Sequence, residues 1–251
     1  MNYKKLTSIA IFALITVGSI FMYLQLAKNN KFTAKLHSLE QKTWQSFKKF
    51  NITKEEVYNK VYEYDQIQKE YDQKNGSTKK QDNKAISKEL YRLIASLAYY
   101  FGLDIETISL IPTSDPNLSP ATAINNAIYI DEKALAQYSA DAKKYIFAHE
   151  IQHILNMDPY ALFAVDQALT DRKIELQEQN PEFAANCFSR FCETRADIGA
   201  ATATREIAHG FVEFTQELIK EGHHNPGTTH PRNEERLALA QEIYSSMTQT
   251  A

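Results

Sequence analysis

His149-Glu150-Ile151-Gln152-His153 restricts this chain more than any other stretch of it. Side chains four residues apart lie on one face of a helix, so both imidazoles reach a single metal ion from consecutive turns. Glu150 is then held on the open side of that metal, where a general base for water must stand. The surroundings read as a buried helix over residues 142–156. Tyr145, Ile146, Ala148, Ile151, Ile154 and Leu155 recur at helical spacings, and nothing breaks the run before Asp158-Pro159. The bland alternative, a surface helix with two His and a Glu, does not account for so much apolar surface. The pattern implies zinc-dependent hydrolysis.

A catalytic zinc takes three protein ligands and leaves a fourth position open. Downstream, Asn180-Pro181 reads as a helix start, and that helix carries Glu193-Thr194-Arg195-Ala196-Asp197. Glu193 and Asp197 are one turn apart on the same face. Glu193 can therefore bind the metal while Asp197 accepts a hydrogen bond from a ligating imidazole and sets its tautomer. Ala196, Gly199, Ala200 and Ala201 permit close helix packing. His209, His223 and His224 compete as third ligand, although His223 and His224 sit in a Gly/Pro loop where a solvated imidazole is the simpler reading. A last element is Thr229-His230-Pro231, with Arg236 beyond it and Pro231 opening the final helix. His230 or Arg236 can face the metal and stabilise an oxyanion; the alternative for Arg236 is a structural ion pair.

The chain has 251 residues, room for one catalytic domain plus accessories. A net charge of -3 offers no basic stripe and no support for a nucleic-acid partner. Cys187 and Cys192 are five apart on a predicted helix, about 140° apart around its axis, which disfavours both a mutual disulfide and a shared metal. Residues 6–27 are uncharged and mostly apolar, long enough to span a bilayer core, and no small-x-small cleavage site follows them. They read as an uncleaved single-pass anchor. Lys4 and Lys5 before it and Lys28, Lys31 and Lys35 after it nearly balance, leaning toward a cytoplasmic body and leaving orientation open.

Residues 1–31 thus form the predicted anchor, 32–84 a juxtamembrane helical region and linker, and 85–251 the catalytic domain. Within 32–71, Thr53 and Glu56 make a capping box, and Val57, Val61, Tyr64 and Tyr71 draw an apolar stripe. That pattern fits a helical hairpin packing on the body or on a partner. Residues 72–84 read as a flexible loop. Leu90, Leu93, Ile94, Leu97, Ala98 and Phe101 give a periodic helix stopped by Gly102. Residues 105–111 and 123–131 are candidate strands, and from 132 onward the chain reads as helix. The expected fold is α+β, mostly α.

H-E-x-x-H, then Glu193-x-x-x-Asp197, then Thr229-His230-Pro231 with Arg236, in that order, resemble the HtpX-type, CAAX-prenyl-protease-like family of zinc metallopeptidases over about residues 85–245. The resemblance implies a gluzincin-type domain with a small sheet beside the active helix and one Zn2+ per subunit on His149, His153 and Glu193. It further implies Glu150 as base, Asp197 behind a ligand, and His230 near the transition state. Asn126-Ala127-Ile128-Tyr129 is similar to the family's edge-strand motif, displaced by one residue at the aromatic. Asn126 and Ala127 would then hold a polypeptide substrate by strand addition. Only one span is visible, so prenylated substrates are not implied. The nearer relatives degrade misfolded proteins of the bacterial cell envelope, which implies an extracytoplasmic quality-control endopeptidase. Two other readings stand beside it: a membrane-tethered, chaperone-like binding module with a structural metal, and a hydrolase of non-peptide amides.

Overall fold

The computed structural model describes residues 30–75, 86–115, 118, 120–176, 181–222 and 228–248. The expected anchor at residues 6–27, His223 and His224, and the cap residue Asn180 lie outside them. Among the described residues no helix is long and apolar enough to cross a membrane. The described residues are mostly helical with one small sheet, in line with the α+β, mostly α expectation.

Two N-terminal helices, α1 (Asn30–Phe47) and α2 (Lys54–Asn75), are joined by a 3-10 turn at Lys48–Phe50. The Thr53 hydroxyl caps α2 by accepting from the Glu56 N–H at 3.1 Å. This hairpin packs on the body. Phe47, Phe50, Ile52, Val57 and Val61 share a core with Tyr160, Val165 and Leu169 of α6 (Asp158–Leu176) and Phe188 and Phe191 of α7 (Glu182–Ala201). The expected loop over residues 72–84 is helical as far as Asn75, where α2 ends, and residues 76–84 lie outside the described ones.

The second core centres on α5 (Ala140–Leu155), which packs against α3 (Lys88–Tyr100), α7 and α8 (Arg205–Lys220). The closing helix α9 (Asn233–Thr248) covers α8. Ser139 caps α5 by accepting from Ala142 N–H, and α3 ends at Gly102, whose φ of 75° a residue with a side chain rarely adopts. At Gly210 of α8 a Cβ would lie 1.9 Å from the Asp141 carbonyl oxygen, so the α5–α8 approach requires glycine.

The sheet corrects two expectations. A 3-10 turn (Ile105–Thr107) precedes β1 (Ser109–Pro112), so the first strand starts four residues later than its apolar run. Residues 123–131 are part of a hairpin instead of one strand: β2 (Ala121–Ile124) and β3 (Ala127–Ile130) pair antiparallel across Asn125-Asn126. Asn125 takes φ 53°, which Asn tolerates better than most residues, and this tight turn is what alternation alone did not show. The strand order is β1-β3-β2, with β1 parallel to β3. The short helix α4 (Glu132–Leu135), capped by Asp131, leads from β3 toward α5.

Candidate metal centre

His149, Glu150 and His153 are all buried on α5, although nothing in their polarity favours burial. Their surroundings supply the reason. His149 Nε2 and His153 Nε2 are 3.0 Å apart. Glu193 of α7 brings its carboxylate to 3.3 Å from the first and 3.6 Å from the second. These three residues form a group able to hold a metal ion. A tetrahedral zinc with bonds of about 2.0–2.1 Å sets its ligand atoms roughly 3.3–3.4 Å apart, and the three separations scatter about that value.

The opposite ring nitrogens are each met by a carboxylate. His149 Nδ1 lies 2.9 Å from Asp197 Oδ1, and His153 Nδ1 lies 2.9 Å from Asp158 Oδ2. A proton held at each Nδ1 leaves both Nε2 lone pairs directed at the common point. Asp197 in turn accepts from Arg236 Nε at 2.9 Å and Nη2 at 2.8 Å, and from the Tyr145 hydroxyl at 2.5 Å. Asp158 is paired with Arg195 Nη2.

Charge gives an independent test of fit. Asp158 and Asp197 are paired with the guanidinium groups of Arg195 and Arg236, while Glu150, buried, and Glu193, nearly so, add two further carboxylates beside them. Buried charge has to be compensated, and one divalent cation does so. Without a cation the imidazoles are pressed to take up protons. Burial disfavours their charged form, but the Asp197 and Glu193 carboxylates outweigh it and raise the His149 pKa, while Glu193 and Asp158 push that of His153 well up. Burial likewise works against the Glu193 and Asp197 carboxylates. The His153 and His149 imidazoles nonetheless hold Glu193 well below the usual carboxylate range, and Arg236 with His149 holds Asp197 at about 2. For Glu150 burial wins and raises its pKa.

Glu150 Oε2 accepts a 2.6 Å hydrogen bond from the Ala123 N–H of β2. That N–H therefore points away from β3, and by the alternation of an antiparallel strand so does that of Ala121. The outer edge of β2 thus faces α5, with its Ala123 N–H taken by Glu150. It borders a cavity of about 330 Å³ that also reaches Pro159 and Leu162 of α6 and His230. Ala127, expected at that edge, opens β3, the central strand, whose two sides are occupied by β1 and β2. Asn126 lies in the turn, where its carbonyl accepts from Ser109 N–H at 2.9 Å. Asn126 and Ala127, expected at a sheet edge, therefore do not form one, and the edge turned toward α5 is that of β2.

The remaining predicted residues divide cleanly. His230 is half exposed, with Nε2 3.3 Å from Glu193 Oε1, and stands beside the cluster. Arg236 is buried and committed to Asp197 and Tyr145, the ion-pair alternative of the two open to it. His209 pairs with Asp141 at 3.2 Å and is not among the ligands. Cys187 and Cys192 are free thiols. Sequence reasoning did not find Asp158 or Tyr145. Tyr145 precedes His149 by one turn, a spacing that was legible. Asp158 follows His153 by five residues across a helix break, and its approach depends on Met157, which reverses the chain at φ 56°. The chain matches no protein-family model, no curated protein and no solved structure.

Proposed function

We propose that this chain is a zinc-dependent metallopeptidase that hydrolyses peptide bonds in proteins, an endopeptidase of the HtpX-type, gluzincin kind. We further assign it to protein quality control at a membrane, held there by residues 6–27. The observation that carries the reading is the His149–His153–Glu193 donor set, its two imidazoles buried, with Glu150 beside them on α5. A structural metal site has no use for an acid beside the ion, whereas hydrolysis does.

His149, His153 and Glu193 would hold the ion. Zinc bound there supplies Lewis-acid activation of water and of a carbonyl near neutral pH. Glu150 takes a proton from the attacking water and returns it to the leaving amine. Its carboxylate is aimed between α5 and β2, where the backbone N–H of Ala123 now holds it. His230, at the open side of Glu193, donates to the oxyanion that develops on the scissile carbonyl. An extended peptide would add along the outer edge of β2 through backbone hydrogen bonds, displacing Glu150 from the Ala123 N–H, which favours a polypeptide over other amides.

The purified full chain with and without Glu150→Gln provides the test. The variant is expected to keep one zinc per chain, measured by metal analysis, and to lose casein hydrolysis by at least about 100-fold. Hydrolysis that survives in the variant, or in wild type stripped of metal, removes this function.

A further inference from the structure

We infer that Asp158, clamped by Arg195, is the positioning residue for His153 and governs how tightly the metal is held. The inference rests on the zinc reading above. His153 offers Nε2 to the metal only while its proton sits on Nδ1, and the acceptor at that nitrogen is Asp158 Oδ2 at 2.9 Å. Asp158 is fully buried, and it opens α6, where the helix N-terminus favours a carboxylate. Its other oxygen is taken by Arg195 Nη2.

Arg195 belongs to α7 and follows Glu193 by two residues. One helix therefore presents both a ligand and the clamp on the partner of another ligand. The guanidinium is stacked 4.9 Å from the Phe191 ring and lies near Tyr58 of α2. The line His153–Asp158–Arg195–Tyr58 thus runs from the metal centre to the N-terminal hairpin. Buried carboxylates in this place behind a ligating imidazole typically contribute about 10–100-fold in metal affinity.

The test uses the full chain, zinc affinity by competition with a chromophoric chelator, and the visible spectrum of the cobalt(II) form. Asp158→Ala is expected to weaken zinc about 10–100-fold and to shift the cobalt bands. Asp158→Asn, which keeps an acceptor without its charge, is expected to recover part of that affinity and decides the matter should the alanine variant not fold. Phe188→Leu, in the outer core away from the ligands, should lose stability with affinity and spectrum unchanged. Wild-type affinity in both Asp158 variants, or an equal loss in Phe188→Leu, overturns the inference. A wild-type chain that holds no zinc overturns the peptidase reading instead, so the two failures are told apart.

Discussion

Behind each of the two imidazoles stands a buried Asp, and behind each Asp an Arg, yet the two lines are built differently. On the His149 side, Arg236 grips Asp197 with two nitrogens, and Tyr145 donates to the same carboxylate. Tyr145 is itself stacked on Phe211, with ring centroids 4.4 Å apart. On the His153 side, Arg195 meets Asp158 through one nitrogen, and its Nε has no hydrogen-bond partner among the described residues. The first line is closed inside the core formed by α5, α7, α8 and α9. The second reaches outward to α2. The same chemical requirement, a proton held at Nδ1, is thus met once by a rigid core network and once by a looser clamp that leans on the N-terminal hairpin.

Removing the guanidinium should expose this asymmetry most strongly. Arg236→Met leaves the buried Asp197 charge without its partner and is expected to cost about 3–5 kcal/mol in chemical denaturation. Arg195→Met is expected to cost less, about 1–3 kcal/mol, because a single contact is lost and the N-terminus of α6 still favours the Asp158 carboxylate. Equal losses would contradict the comparison. Next comes Gly210→Ala, where the added methyl meets backbone that cannot move aside. It should cost about 3 kcal/mol through displacement of α8 and the Phe211–Tyr145 stack, measured by thermal melting of the metal-free protein. Asp197→Asn keeps an acceptor for His149 but loses the charge paired with Arg236. Zinc competition should show about 10–100-fold weaker binding, and an unchanged constant would separate Asp197 from the metal. The smallest effect is expected at the outer end of the second line. Tyr58→Phe removes one hydroxyl near Arg195 and should cost about 0.5–1.5 kcal/mol, with zinc affinity altered less than about threefold.

How far the site was legible varies residue by residue. His149, Glu150 and His153 stand within one helix, where spacing alone fixes which face they share. Glu193 and Asp197 were legible for the same reason, one turn apart on α7. Asp158 was not, because a helix break separates it from His153, and only the reversal at Met157 turns its carboxylate back. The β2–β3 hairpin was hidden for a related reason. Residues 123–131 alternate well enough for one strand, and Asn125-Asn126 carries no glycine to mark the turn. That slip moved the expected edge from β2 to the central strand. Arg236 had two roles open to it from sequence, and its burial against Asp197 and Tyr145 selected the ion pair.

Period and spacing within single helices determined, before any coordinates, that two imidazoles and a carboxylate share one face and that an E-x-x-x-D pair follows on another helix. Such relations depend only on the 3.6-residue turn, which is local. Tertiary structure alone decided that α7 crosses α5 with Glu193 at the two Nε2 atoms, that β2 turns its outer edge toward α5, and that each imidazole has its own carboxylate and guanidinium behind it. Those contacts join residues 5 to 91 positions apart in the chain, and their geometry follows from how the helices pack, which no local period encodes.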